Sequence, residues 1–393
     1  MGRYNIKIWQ VMLGGAAAVL LTGQISVPDA LSAIDINVMI FLFGMFVVGE
    51  ALCRSGYLDC ISKKVFGHAR TTGQLLFLLI FCFGLLSALL MNDTLAIIGT
   101  PVVLGLAAQN RLPKKMLLLA LAFAITTGSV ASPIGNPQNL LIAINSGMSA
   151  PFVTFAAALL IPTLLGLLAA WLVLRLVYRK DWKTGNGETV PEPEIRADPA
   201  LTRIVQCSLV ILIGLAGVNI IASLLNGALA IPLPFIAIAA AIPVILFSRE
   251  RFAVLKAIDW CTLVFFAAMF VLMASVWQTG FFQVFTGPDG LSTIPAILGT
   301  SVILSQFISN VPFVALFTPL IIQAGGTTAD FLALAAGSTI AGNLTILGAA
   351  SNVIIIQQAE SRGETITFME FAKAGVPLTI IQIGIYAGML AIL

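Results

Sequence analysis

The sequence predicts an all-α polytopic membrane protein with two inverted-topology repeats, each containing a re-entrant helical hairpin and a broken transmembrane helix. Composition is the first observation, since 59% of the 393 residues are hydrophobic and only 9% are charged, against about 25% charged residues in soluble domains. The second observation is that basic residues cluster between long apolar segments. The third is an internal repeat that relates the two halves of the chain.

Transmembrane helices are predicted wherever about 20 consecutive residues are mostly apolar. The clear spans are about 7–24, 35–54, 150–177, 201–225, 230–247, 258–278 and 374–392. The 20 Lys and Arg residues lie in clusters around these spans, and the positive-inside rule places each cluster in the cytoplasm. We therefore predict a multi-pass protein of the plasma (inner) membrane with a cytoplasmic N-terminus and an outside C-terminus.

The segment between Arg70 and Arg111 has to leave and re-enter the same side of the membrane, because both of its ends are basic. Its polar interruption is the run Asn92-Asp93-Thr94. Two full crossings joined by a tight turn are one interpretation, but a re-entrant hairpin with its tip near 92 explains the missing aqueous loop better. A second hairpin, 291–324, is predicted to enter from the outer side and to have its tip near 310.

The stretch from Ser129 to Leu140 is a run of small, amide and hydroxyl residues inside the apolar segment 113–147. Its two prolines and one glycine within five positions cannot lie in an unbroken helix. Bare backbone at membrane depth is tolerated only where it is buried in protein or lines a water-filled cavity. We predict broken crossings over 113–147 and 327–360, with breaks near 129–139 and 342–352.

The second half of the chain repeats the residues of the first half. The recurring pairs include Asp35 with Asp259, Asn92 with Asn310, Gly135 with Gly348, and Asn139 with Asn352. The predicted domains are a first inverted repeat over 1–179, a cytoplasmic loop over 180–200, a linker transmembrane helix over 201–225 and a second inverted repeat over 226–393. Inverted repeats with broken helices are typical of secondary transporters.

Four half-helix N-termini are expected to converge near the membrane midplane, where each offers unpaired N–H groups and about half a positive charge. The polar residues around them are the candidate substrate- and ion-binding residues: Asn92, Asp93, Thr94, Ser129, Ser132, Gly135, Asn136, Gln138, Asn139, Ser309, Asn310, Asn343, Thr345, Gly348, Ser351 and Asn352. Small and amide residues can also serve simply to pack helices together. The repetition of the same Asn and Gly residues in both copies favours a binding role.

Asp93 has no acidic counterpart in the repeat, because the matching residue is the apolar Val311. A carboxylate in the membrane interior is a functional candidate by default. We predict that Asp93 couples transport to protons; with carbonyl oxygens beside it, Na⁺ binding is the alternative. Glu50 lies four residues before Arg54, a spacing that favours an ion pair within one helix.

Three motifs resemble the ion transporter superfamily: Asn92-Asp93-Thr94, the run from Ser132 to Asn139, and the run from Gly342 to Asn352. That superfamily includes arsenite-efflux permeases (ArsB), silicic acid efflux transporters, the pink-eyed dilution protein, NhaD-type Na⁺/H⁺ antiporters and citrate or dicarboxylate carriers. The first half looks most like the arsenite and silicic acid efflux branch. The resemblance implies a homodimer with a scaffold, a moving transport domain and elevator-type alternating access.

The expected function is a secondary active transporter for proton-coupled efflux of a small oxyacid, such as arsenite, antimonite or silicic acid. With no Lys or Arg expected in the membrane interior, neutral solutes fit better than dianions. The alternatives are a Na⁺/H⁺ antiporter or a Na⁺- or H⁺-coupled anion transporter of the same fold. Candidate Na⁺ ligands are Asn92, Asn139, Asn310 and Asn352.

Several other classes are disfavoured by the residues. A channel is a weak candidate because the Asn136-Pro137 pair is not duplicated in the second half. An intramembrane enzyme would need a catalytic dyad, which one Asp does not provide. The chain is predicted to need no cofactor beyond H⁺ or Na⁺ as coupling ion and no resident metal, and to have the lipid bilayer, a small solute and a second copy, but no nucleic acid, as partners.

Overall fold

The computed structural model describes residues 7–67, 69–181, 198–225, 231–281 and 293–392, and these residues form α-helices without any strand. Within those ranges there are 18 α-helices. Most of the predicted cytoplasmic loop, residues 182–197, lies outside the described residues.

The described residues of the first half form nine α-helices before the predicted loop. They are α1 (Ile8–Leu21), α2 (Val27–Ala33), α3 (Ile36–Ser55), α4 (Tyr57–Phe66), α5 (Thr72–Ser87), α6 (Asn92–Gln109), α7 (Lys114–Gly128), α8 (Pro137–Asn145) and α9 (Pro151–Val177). The described residues of the second half form another nine. They are α10 (Pro199–Leu224), α11 (Leu233–Phe247), α12 (Arg251–Ala257), α13 (Trp260–Gln278), α14 (Ile294–Ile308), α15 (Asn310–Gln323), α16 (Thr328–Ile340), α17 (Ala350–Glu360) and α18 (Phe368–Leu390).

Six of the described helical segments are long and apolar enough to cross a membrane. They are Ile36–Ser55, Lys114–Ala131, Pro151–Val177, Pro199–Leu224, Trp260–Gln278 and Phe368–Leu390. Shorter apolar helices, including both helices of the second hairpin, accompany them. The prediction of a multi-pass integral membrane protein is therefore confirmed.

Both hairpins and both broken crossings are present. Helices α5 and α6 form the first hairpin, and α14 and α15 form the second, with its turn at Ser309. Helices α7 and α8 are separated by an unwound segment that includes a single 3₁₀ turn, and α16 and α17 are separated in the same way by two 3₁₀ turns. The predicted fold class is confirmed, and the breaks lie at 129–136 and 341–349.

The helices pack into two groups, and each group contains helices from both halves of the chain. In one group α1 packs against α13 and α11 packs against α3, with α10 alongside α3 and α11. In the other group α6 packs against α17 and α15 packs against α8, with α9 against α18. Each half therefore completes the packing of the other, as expected when the two halves are related by an approximate two-fold axis.

Three short helices, α2, α4 and α12, were not predicted, because seven to ten residues are too few to register as a span. Helices α2 and α12 each precede an aspartate that caps the next helix. The Asp35 carboxylate accepts from the N–H of Asn37 at 3.0 Å, and that of Asp259 accepts from the N–H of Thr262 at 2.9 Å. Capping by a carboxylate satisfies N–H groups that otherwise have no partner.

The last helix begins at Phe368, earlier than the predicted start at 374. Hydropathy missed its first turns because they contain Glu370 and Lys373. Thr367 caps this helix, and the Glu370 side chain accepts from the backbone N–H of Thr367 at 2.9 Å. Such a capping box satisfies two N–H groups at once.

Ion pairs join helix ends that carry the basic clusters. Lys115 at the start of α7 contacts Glu370 at the start of α18, with Nζ and Oε1 2.6 Å apart. Arg54 at the end of α3 lies 3.6 Å from Glu250, which precedes α12. These ends lie on the side of the protein that the positive-inside rule predicts to face the cytoplasm.

Candidate functional site

The candidate site is built from two unwound segments, which we call the first loop (129–136) and the second loop (341–349). Each requires a glycine because its chain folds tightly back on itself. A Cβ atom on Gly135 would lie 2.5 Å from the carbonyl oxygen of Ser129, and one on Gly348 would clash with the carbonyl oxygen of Ala341. The repeated glycines therefore serve the close approach of backbone to backbone.

Two repeated asparagines brace the loops in the same way. The Asn139 Nδ2 donates to the carbonyl oxygens of Ser129 at 3.1 Å and Ser132 at 3.0 Å. The Asn352 Nδ2 donates to the carbonyl oxygens at the matching positions, Gly342 at 2.6 Å and Thr345 at 3.4 Å. Each amide nitrogen thus satisfies carbonyls that a continuous helix would have paired.

The first loop is closed by hydrogen bonds among its own side chains and Thr339 of α16. The Thr339 hydroxyl accepts from Asn136 Nδ2 at 3.2 Å and Gln138 Nε2 at 3.4 Å, and donates to Asn139 Oδ1 at 3.2 Å. Asn136 also donates to the Ser129 hydroxyl at 2.9 Å. Residues 129–136 are buried throughout.

The second loop is held from two sides by residues that were not predicted as site residues. The Thr345 hydroxyl donates to Gln306 Oε1 at 2.7 Å. Asn343 Nδ2 donates to the Thr127 hydroxyl at 3.0 Å and to Gln382 Oε1 at 2.8 Å. The Asn343 amide nitrogen therefore joins the second loop to α7 and α18.

The first hairpin is docked against the first loop. The backbone N–H of Asn92 donates to the carbonyl oxygen of Gly135 at 3.0 Å. The Ser87 hydroxyl donates to the carbonyl oxygen of Ile125 in α7 at 2.6 Å. Together these bonds join the hairpin tip and the end of α5 to the broken crossing.

The second hairpin is attached differently, although its residues match those of the first. Ser305, the counterpart of Ser87, has a buried hydroxyl with no partner among the described residues. Ser309 at the tip is exposed and has a φ of 70°, which is uncommon for a residue with a side chain. The link is Gln306, which donates to the carbonyl oxygen of Ala341 at 2.9 Å and accepts from Thr345.

Replacing Gln306 with Ala is expected to loosen the second hairpin, because both hydrogen bonds to the second loop are lost. Hydrogen exchange followed by mass spectrometry should show faster exchange at residues 306–313, with the first hairpin unchanged. Ala88, the counterpart of Gln306, provides the matched control when it is changed to Ser. Equal exchange rates in wild type and Gln306→Ala would show that this side chain does not hold the second hairpin against the second loop.

Neither Asp93 nor Thr94 makes a side-chain hydrogen bond to the first loop within the described residues. A Cβ atom on Gly49 of α3 would lie 2.7 Å from Cγ2 of Thr94, so Thr94 packs on the neighbouring helix group. Asp93 is half-buried and has no hydrogen bond or ion pair with any described residue. Glu50 differs, since its carboxylate lies 2.7 Å from Arg54 Nε, which confirms the predicted ion pair.

Several of the buried side-chain oxygen atoms that have no partner among the described residues lie at the loops and hairpin tips, and others, such as those of Ser208 and Ser275, lie elsewhere. Those at the loops and tips include the side-chain amide oxygens of Asn92, Asn310, Asn343 and Asn352, and the hydroxyls of Thr126 and Ser351. Buried polar atoms in proteins are normally hydrogen-bonded. An amide oxygen accepts hydrogen bonds or binds a cation, so these atoms fit a ligand that donates hydrogen bonds or carries positive charge.

Comparison with known proteins agrees with this architecture. Residues 2–337 match the CitMHS family, described as citrate transporter. A silicon efflux transporter, LSI3, of Oryza sativa subsp. japonica is 29% identical over 93% of this chain and 89% of its own length. An uncharacterized transporter of Mycobacterium tuberculosis is 28% identical over 96% of this chain and 91% of its own length.

Two further proteins extend the comparison. The human P protein is 25% identical over 97% of this chain, which spans 57% of that protein's length. The crystal structure of the Alcanivorax borkumensis YdaH transporter, reported to have an unusual topology, covers 98% of this chain with a TM-score of 0.61 and 16% identity. The similarity to YdaH shows a shared fold. With the match to 2–337 and a multi-pass helical fold, the chain belongs to the CitMHS family of membrane transporters.

Proposed function

We propose that this protein is a proton-coupled efflux transporter for a small, neutral, hydroxylated oxyacid such as arsenous, antimonous or silicic acid. The observation that carries the proposal is the set of buried, unpartnered side-chain oxygens at the loops and hairpin tips. Neutral oxyacids present several hydroxyl groups, each of which can donate to an amide oxygen and accept from a hydroxyl. The silicon efflux transporter of Oryza sativa is one relative with a substrate of this kind.

The charge distribution disfavours citrate, the substrate in the family's name. None of the hydrogen bonds made by the two loops within the described residues comes from Lys or Arg. A carboxylate needs donors, and Arg or Lys are the usual partners. Buried amide oxygens would instead repel such an anion.

Na⁺ coupling is the second candidate, and it rests on two of the same oxygens. The Asn92 and Asn310 amide oxygens are buried at the hairpin tips and have no partner among the described residues. Hard cations prefer oxygen ligands. Asn139 is less suited to Na⁺, because its amide oxygen already accepts from Thr339.

Elevator-type movement is supported by the two helix groups, whose contacts with each other, such as those of α3 with α6 and α8 and of α13 with α15, are smaller than the main contacts within each group. Thr94 of the first hairpin packs directly on Gly49 of α3, which has no side chain. We propose that the hairpins and broken crossings move along the other group within a homodimer in the inner membrane.

The test is transport by purified protein in proteoliposomes under separate H⁺ and Na⁺ gradients. Arsenite, silicic acid and citrate are offered as substrates, with protein-free liposomes as the control. The proposal expects arsenite or silicic acid to move in response to the H⁺ gradient. Citrate accumulation driven by Na⁺, with no movement of either oxyacid, would show the proposal to be wrong.

A further inference from the structure

The two loops share one backbone design but differ in the side chains that fill them. At the first loop, Asn136 and the neighbouring Gln138 of α8 both donate to the hydroxyl of Thr339. Three of the matching residues are smaller around the second loop: Ser129 corresponds to Gly342, Asn136 to Ala349 and Gln138 to Ser351. Thr339 corresponds to Thr126. Threonine is present at both matching positions, whereas the residues that would hydrogen-bond to it have smaller side chains at the second loop.

Thr126 lies directly against the second loop. A Cβ atom on Gly342 would be 3.0 Å from Cγ2 of Thr126 and 2.7 Å from Cβ of Ala349. The Asn352 side chain reaches the same glycine, since its Nδ2 donates to the Gly342 carbonyl oxygen at 2.6 Å. Thr126, Gly342, Ala349 and Asn352 therefore form one cluster, and Ser351 adjoins it in the chain.

Three side chains of this cluster are buried without a partner for one of their oxygens. Thr126 and Asn352 are each 1% exposed and Ser351 is 0% exposed. The Thr126 hydroxyl, the Ser351 hydroxyl and the Asn352 Oδ1 make no hydrogen bond within the described residues. Thr339, by contrast, has partners for both donation and acceptance.

The helices that follow the loops show the same difference. Helix α8 is capped by Asn136, whose side chain accepts from the N–H of Asn139 at 2.8 Å. Helix α17 starts after Ala349, which provides no capping side chain. The N–H of Asn352, the counterpart of Asn139, donates instead to the carbonyl oxygen of Ala349 at 3.2 Å. The N–H groups of Ala350 and Ser351, the first two of α17, are therefore the donors beside the cluster.

We propose that Thr126, Ser351 and Asn352 bind a hydroxyl group of the transported solute at the N-terminus of α17. The first loop contains its own amide side chains at the equivalent place and acts as a rigid support. This inference rests on the proposed function and deepens it, since it names the side of the site that contacts the solute. It also limits the chemical groups that the bound ligand can present at this place.

The ligand has to donate one hydrogen bond and accept another at the same place. The Asn352 oxygen requires a donor, whereas the N–H groups of α17 require an acceptor. A neutral hydroxyl group satisfies both, because its O–H donates and its lone pairs accept. A bare cation cannot accept from N–H groups, and a carboxylate cannot donate to an amide oxygen.

The decisive variant introduces the two amide side chains found at the first loop at the matching positions of the second. In Ala349→Asn/Ser351→Gln, the introduced amides should hydrogen-bond to Thr126 as Asn136 and Gln138 do to Thr339. We expect this variant to melt at a higher temperature than wild type in the absence of solute and to lose transport of arsenite and silicic acid. Transport with an unchanged KM would overturn the proposal.

A matched pair of single substitutions separates binding from stability. Thr126→Val removes a hydroxyl that has no partner, so its melting temperature should stay near that of wild type while KM for the oxyacid rises by about threefold to tenfold, as for loss of one hydrogen bond. Thr339→Val removes three hydrogen bonds and should lower the melting temperature instead. A wild-type KM in Thr126→Val would contradict the assignment.

Failure of the proposed function would be recognised separately. If wild type transports neither arsenite nor silicic acid, the substrate class is wrong, and the melting experiment still decides the structural part. A lower melting temperature of Ala349→Asn/Ser351→Gln without solute would then show that the cluster has no room for a hydrogen-bonding group. A higher one would support a binding site for a different small hydroxylated solute.

Discussion

Replacing Asp93 with Asn is expected to abolish the response of transport to a proton gradient while leaving the protein folded. The side chains have nearly the same size, but an amide cannot take up or release a proton. Asp93 makes no hydrogen bond or ion pair with any described residue, so the substitution removes none there. Oxyacid flux in proteoliposomes, measured over a series of imposed pH gradients, is the readout.

Glu50→Gln is the matched control for Asp93→Asn. Glu50 also lies within an apolar helix, but its carboxylate is bound to Arg54 at 2.7 Å. Loss of this half-exposed pair should cost about 0–1 kcal/mol of stability and leave the pH dependence of flux as in wild type. If Asp93→Asn retains the full pH dependence, or if Glu50→Gln loses it, Asp93 is not the proton-coupling group.

Joining Gly49 to Thr94 through a disulfide is expected to stop transport reversibly. These residues belong to different helix groups, and a Cβ atom on Gly49 would lie 3.3 Å from the Cβ of Thr94, close to the range of about 3.5–4.5 Å found in disulfides. Gly49→Cys/Thr94→Cys would be made after replacing the five native cysteines with Ala. Oxidation should reduce flux to that of protein-free liposomes, and a thiol reductant should restore it.

The control for this cross-link lies within one helix group. Gly15 of α1 and Leu272 of α13 are in contact, since a Cβ atom on Gly15 would lie 3.1 Å from Leu272 Cδ2. Gly15→Cys/Leu272→Cys should form a disulfide without changing flux, because neither helix belongs to the hairpin group. Full transport by the oxidised Gly49→Cys/Thr94→Cys protein would mean that the two groups do not move past each other at this contact.

The hairpins and the broken crossings were predictable from the chain because each carries an unusual local signal. Asn92 and Asn310 interrupt apolar stretches that lack an aqueous loop, and prolines with a glycine interrupt the first crossing. Backbone rules and the bilayer limit such segments to very few conformations. Gly135 and Gly348 were recognised as a pair because they recur at matching positions of the repeat, and the structure explains them by close backbone contacts.

The partners of the site residues were not predictable in this way. Gln306 and Gln382 are separated from the second loop in sequence and become its neighbours through hairpin and helix packing. Thr126 and Thr339 were visible as a repeated pair. The repeat, however, does not show that the Thr339 hydroxyl is hydrogen-bonded to amide side chains, whereas the Thr126 hydroxyl has no partner among the described residues.

By itself, the sequence determined the class of protein, the two hairpins, the two breaks and most of the residues that line them. It could do so because hydropathy, charge and helix-breaking residues act over short distances along the chain. Only the tertiary structure decided which of these residues support the loops and which still have unpaired oxygens for a ligand. That distinction depends on contacts between residues such as Thr339 and Asn136, which are far apart in the chain and meet only after the two halves have packed together.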